Sequence, residues 1–129
     1  MPLPAPIVHF EFGVRDTPKA QAFYGPLFGW QFVQAGPACM VTNIGPMAPG
    51  NKDVCQPGIG GHIASLGHPP HTYCVVYAQV DDLAATIAHA EKLGGRSLVP
   101  PTEVPNLGSF AWIGDPEGNT VGLWKPLIS

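Results

Sequence analysis

Along residues 7–14, IVHFEFGV, apolar and other positions alternate: Val8, Phe10, Phe12 and Val14 share one face, while His9, Glu11 and Gly13 share the other. A period of two is the signature of a half-buried strand. From Thr17 the period lengthens. Ala20, Phe23, Tyr24 and Leu27 follow the i, i+3, i+4, i+7 stripe of a core-facing helix. Thr17 suits the N-cap, Pro18 the first helical position and Gly29 the stop. The same signals return further on. YCVVYAQV, residues 73–80, alternates; Asp81 suits a cap; Leu83, Ile87 and Ala90 form a helical stripe; Lys92 suits the last turn and LGG ends it. Aligning GVRD with AQVD places Val14 opposite Val80. Strands are expected near 7–14, 30–34, 38–43, 59–65, 73–80, 96–99, 109–113 and 120–124. The order is strand, helix, three strands, twice over, which makes the fold class α+β by duplication. Module one spans about 5–66 and module two about 72–126 of a single domain, 1–129.

Composition narrows the function classes. Of 129 residues, 45% are hydrophobic and 12% charged. That argues for a packed core and against disorder. The net charge is -3 with six Lys and Arg, and no basic run occurs, so nucleic acid is not an expected partner. No apolar stretch approaches membrane-spanning length, and MPLPAPIVHF lacks the pattern of a secretory leader. No membrane partner and a cytoplasmic location are therefore expected. Cys39, Cys55 and Cys74 form neither a CxxC pair nor a zinc spacing and read as free thiols, with Cys74 on the packed face of its strand. Residues 45–58, rich in Pro and Gly, read as a loop, either a flap over a site or a surface loop.

Two stretches carry a family resemblance. IVHFEFGVRDTPKAQAFYGPLFGW and GSFAWIGDPEGNTVGLWKP resemble the vicinal oxygen chelate superfamily, which includes glyoxalase I, bleomycin- and fosfomycin-resistance proteins and extradiol dioxygenases. The likeness extends over nearly the whole chain, and its most specific parts are the FYGPLFGW helix end and the DPEGN turn. It implies two βαβββ modules forming a cup-shaped mixed sheet, helices on the outer face, a small-molecule ligand in the concave face and a homodimer. In metal-dependent members four inward positions supply His, Glu or Gln ligands. Here those positions fall on His9, near Gly60, on Val75 and on Gly122. One donor is too few for a divalent ion. His9, Glu11 and His62 are the alternative three-ligand set, which no spacing rule supports, so a metal cofactor and metal-dependent glyoxalase I activity are disfavoured, and no other cofactor is expected.

Strand parity then gives the expected lining of the cup. His9, Glu11, His62, Tyr77, Gln79, Thr120, Gly122 and Trp124 fall on inward faces, while Trp112 fits either face. His9 and Glu11 are the candidate catalytic residues, an acid–base pair able to take and return a proton on a bound carbonyl compound. They also read as a hydrogen-bonded pair that orders the first strand, the reading that suits Glu11 better. The other six are candidate ligand-binding residues, with Tyr77 and Trp124 as apolar walls and the missing side chain of Gly122 as ligand space. His68 and His71 belong to a Pro-rich linker, and Asp115 and Glu117 to a turn. Three functions fit: a metal-independent acid–base enzyme of lyase or isomerase type, a protein that sequesters a small molecule as resistance proteins do, and a regulatory module that kept the fold.

Overall fold

The computed structural model describes residues 4–36, 38–42 and 58–127. Module one contains β1 (Ile7–Gly13), α1 (Thr17–Phe28), β2 (Phe32–Ala35), β3 (Ala38–Val41) and β4 (Gly60–Ala64). Module two contains β5 (Tyr73–Gln79), α2 (Leu83–Lys92), β6 (Arg96–Val104), β7 (Gly108–Gly114) and β8 (Thr120–Pro126). Both are strand–helix–three strands, so the α+β, βαβββ reading holds. The expected flap, apart from Gly58, and Cys55 lie outside the described residues. Among the described residues no helix is long and apolar enough to cross a membrane.

The two modules share one topology. In the first, the strands lie in the order β2-β3-β4-β1, with β1 parallel to β4 and the other neighbours antiparallel. In the second the order is β5-β8-β7-β6, with β5 parallel to β8 and the rest antiparallel. Each module's set of four strands is therefore mixed, and the eight strands belong to one sheet. By their contacts the residues gather into two compact units, His9–Cys74 and Val75–Ser129 with Met1–Val8. The first residues join the second unit partly because the Pro6 carbonyl accepts the Gln79 amide at 2.9 Å.

Each helix is fixed at its start by an aspartate, in neither case the residue the sequence suggested. Asp16 Oδ1 accepts the Lys19 amide at 3.0 Å, and Asp82 Oδ1 accepts the Ala85 amide at 3.0 Å. Both bonds run from the cap to the third helical residue, and a carboxylate there also suits the positive end of the helix dipole. Thr17 becomes the first helical residue instead, and Asp81 stays outside the helix. Gly29 ends α1 as expected, at φ 71°, with its N–H on the Gly25 carbonyl. The β6 strand runs five residues beyond its expected end, through Pro100 and Pro101. It tolerates them because β6 closes its module's strand order and pairs only with β7, and the register shifts on either side of Val99.

Strand parity predicts the packed face of module one, but the expected α1 stripe is only half right: Ala20 and Tyr24 reach the core, whereas Phe23 and Leu27 are 59% and 56% exposed. Phe12 of β1 and Val14 just beyond it pack with Tyr24 and Phe32 around Ala20, Cys39 and Ile63. Ile63 has no exposed surface, a burial worth about 1.5–3 kcal/mol. In the second unit Leu83 and Ile87 of α2 pack on Ala111 and Leu123, with Val80 and Ile113 beside them. In β5 the expectation fails: Cys74 and Val76 are exposed, while Val75 and Tyr77 on the other face are buried. Cys74 is the second residue of β5 and belongs to neither apolar cluster, whereas Val80, beyond the far end of that strand, reaches α2.

A repeated device lets large rings lie flat across the strands. Gly61 pairs with Phe10, and Gly122 pairs with Tyr77. A methyl group on Gly61 would sit 2.4 Å from the Phe10 ring, and one on Gly122 would sit 2.4 Å from the Tyr77 ring. The ligand space expected at Gly122 is thus filled by Tyr77, a correction with a direct cause: the ring needs the volume that a side chain would take. Gly122→Ala is expected to destabilise the protein by about 1–3 kcal/mol in urea denaturation through overpacking. In a Tyr77→Ala background the obstacle is gone, and the same change should become neutral or stabilising because alanine suits a strand better than glycine. An equal penalty in both backgrounds would show that the ring is not the obstacle.

Candidate active site

The unit His9–Cys74 brings three of the predicted site residues together and adds a fourth. His9 and Glu11 are two apart on β1 and share a face. The parallel register sets His62 on β4 directly beside Glu11. His9 Nε2 and His62 Nδ1 are 2.6 Å apart, and His62 Nε2 lies 3.4 Å from Glu11 Oε1. The fourth member is Tyr73, whose hydroxyl donates to Glu11 Oε2. The result is a continuous polar chain, Tyr73–Glu11–His62–His9. It runs from a buried carboxylate, 6% exposed, to an imidazole that is 20% exposed at His62.

The contacts favour one placement of the hydrogens. A lone pair on His62 Nε2 would be repelled by the Glu11 oxygen, so that nitrogen carries hydrogen. In a neutral His62, Nδ1 then accepts from His9 Nε2–H, which puts the His9 lone pair on Nδ1. Burial is the main cause that pushes His9 down from its ordinary 6.5 to about 4, and repulsion from His62 adds to it while Glu11 opposes it. His9 is therefore neutral at neutral pH. Tyr73 is pushed well above its ordinary range by burial first and then by Glu11, and it stays a hydrogen-bond donor.

Tyr73 was not among the residues singled out from sequence. It shares a strand face with Val75 and Tyr77, and that alternation was the available signal.

The remaining predicted residues lie in the other unit. Tyr77 and Gly122 are buried, and Trp112, which parity left open, joins them: its indole Nε1 donates to the Tyr77 hydroxyl at 2.8 Å. Phe110 meets Tyr77 edge to face and stands opposite Trp124, which is half-buried. Thr120 is half-buried at the start of β8, and Gln79 is exposed at the end of β5. A hollow of about 440 Å³ opens beside the β6–β7 turn, with Glu103, Ser109, Lys125 and Leu127 among its walls, and it includes none of these residues. Asp115 and Glu117 have the turn role expected of them. Asp115 accepts the amides of Glu117 and Asn119 at 2.9 Å each, and its bonds to Asn119 hold its carboxyl below the usual range.

Residues 6–123 match the profile of the Glyoxalase/Bleomycin resistance protein/Dioxygenase superfamily. The chain belongs to this superfamily. A glyoxylase-like domain-containing protein of Didymella fabae is 30% identical over 125 residues, with 93% of each chain covered. A putative glyoxylase of Mycobacterium tuberculosis is 40% identical over 60 residues, which are 46% of this chain and only 22% of that relative. Among solved structures, methylmalonyl-CoA epimerase from Mycobacterium tuberculosis superposes with a TM-score of 0.62 at 15% identity, covering 99% of this chain and 94% of that one. The Mn(II)-bound glyoxalase from Novosphingobium aromaticivorans gives 0.59 at 15% identity, covering 95% and 40%. At that identity the two structures speak for the glyoxalase fold alone.

The donor set of this glyoxalase-superfamily chain does not fit a metal of the kind its resemblance implies. Gly60, Val75 and Gly122 offer no side-chain donor. His9 Nε2 and His62 Nδ1 stand 2.6 Å apart, whereas two nitrogens bound tetrahedrally to one zinc at about 2.0–2.1 Å would stand about 3.3 Å apart. Among the described residues no group of three or more His, Cys, Asp or Glu is arranged to hold an ion.

The depressed His9 has a consequence for stability. Unfolded chains take up its proton as pH falls through 6.5, while the folded state resists until about 4. Its share of stability is full above 6.5 and is lost on acidification between those values. Urea midpoints should therefore fall across this window, and His9→Gln should flatten part of the fall. An unchanged slope in the variant would contradict the assignment.

Proposed function

We propose that the chain binds a small carbonyl compound and moves a proton on it without a metal, as an isomerase or lyase would. The observation that carries this is the polar chain Tyr73–Glu11–His62–His9. In the assigned tautomer His9 Nδ1 holds the lone pair. A proton arriving there lets the Nε2 hydrogen pass to His62 Nδ1. The charge then rests on His62, whose two N–H groups face His9 and Glu11. Glu11 compensates that charge from 3.4 Å. Reversal returns the proton to the bound compound, so atoms and charge balance without a co-reactant. Methylmalonyl-CoA epimerase, a structural neighbour, is named for an epimerisation, and the proposed chemistry is of that general type.

A second reading is sequestration without catalysis. It draws on the half-buried aromatic surface of Phe110 and Trp124, which suits an apolar ligand.

The test begins with neutral carbonyl compounds screened by thermal shift, since a ligand of the native state raises its melting point. Binders are then followed in D2O by NMR for exchange of the hydrogen next to the carbonyl. The wild type is expected to catalyse exchange, and His9→Gln to bind as before with exchange about 10²-fold slower or worse. Binding without exchange in the wild type, or equal exchange in the variant, would favour sequestration.

A further inference from the structure

Tyr73 occupies a place in the fold that only a neighbouring glycine makes available. A methyl group on Gly13 would lie 1.9 Å from Tyr73 Cε2 and 2.1 Å from Cδ2. Gly13 is buried and has an ordinary strand conformation, so no turn or positive φ asks for glycine there. The ring that lies over it is what requires glycine. This arrangement carries the Tyr73 hydroxyl to Glu11 Oε2 and leaves Oε1 facing His62 Nε2.

The two oxygens of Glu11 thus have different partners. A carboxylate on two flexible carbons can present either edge to a neighbour unless one oxygen is tied. Tying Oε2 from one side fixes the plane of the group and aims Oε1 at the imidazole. His62 in turn has its tautomer set by that oxygen. From this geometry we infer that Tyr73, seated over Gly13, is a positioning residue: it orients Glu11, which sets the tautomer of His62 and so the direction in which the His62–His9 pair can pass a proton. The phenol does not exchange its own proton. It remains a donor throughout, in keeping with its raised pKa. Tyr73 acts through Glu11, with no contact to substrate required. The inference rests on the acid–base reading of the cluster for its catalytic meaning, but not for its structural content.

The test is nitrogen-15 NMR of the histidine side chains in the full chain at pH 7.5, where the shifts of Nδ1 and Nε2 report which nitrogen carries hydrogen. In the wild type His62 should show one tautomer, with hydrogen on Nε2. Tyr73→Phe keeps the ring and removes the tie, and His62 should move to averaged shifts from both tautomers. Gly13→Ala should do the same by displacing the ring, and Tyr73→Phe stands alone if that variant fails to fold. A folded Tyr73→Phe protein with the wild-type His62 signature would overturn the inference. With a substrate from the exchange screen, Tyr73→Phe should slow exchange about tenfold or more with little change in binding. Should the tautomer change while His9→Gln leaves exchange untouched, the positioning role stands and the catalytic reading falls.

Discussion

The parallel register between β1 and β4 is the constraint on which the site depends. It sets Glu11 beside His62, and alternation along β1 then sets His9 on the same face. Side-chain direction has a period of two, so a slip of one residue would turn one strand's side chains to the opposite face relative to the other. The same register faces Phe12 with Ile63, whose packing under α1 would be lost in any slip. Apolar packing on one side of the sheet therefore holds the polar chain in line on the other. Parallel neighbours need a long crossover, and here α1, β2 and β3 intervene between them. The site is assembled only when most of that unit is folded.

Glu11 is the one charged residue buried among the described residues. Burying a carboxylate costs several kcal/mol unless neighbours compensate it. Here both oxygens have partners, and the resulting order favours a single arrangement of the histidines. The volume for this comes from glycine. Gly13 receives the Tyr73 ring, as Gly61 receives Phe10 and Gly122 receives Tyr77. In each case a strand gives up its own side chain so that a neighbouring aromatic can lie across it. Gly122 is the sharpest instance, since the position where the resemblance implies a metal ligand serves here to seat a ring.

Much of this could be read in the sequence because it follows from periodicity. The alternation in IVHFEFGV divides His9 and Glu11 from Phe10 and Phe12, and the helical stripes place Leu83 and Ile87 in one core and Ala20 and Tyr24 in the other, though Phe23 and Leu27 stay exposed. The DPEGN turn and the Gly29 stop follow from backbone chemistry local to a few residues. What eluded the sequence depends on contacts between distant positions. The bond of Tyr73 to Glu11 joins residues 62 apart, and parity gives a face without giving a partner. The content of the space at Gly122 had the same character: the absent side chain is local, but the ring that fills it comes from another strand. The extension of β6 through two prolines follows from its edge position, which only the sheet order reveals.

A hydrogen-bonded chain in place of an ion site is most directly tested by adding metal to the purified protein. Zn, Ni, Mn and Fe(II) would each be titrated by calorimetry at pH 7.5, with melting curves alongside. No stoichiometric binding and no rise in melting temperature are expected, because His9 and His62 engage each other at a separation too short to share an ion. One equivalent of any of these metals bound, with a large melting shift abolished by His9→Gln, would contradict that expectation and return the protein to metal chemistry.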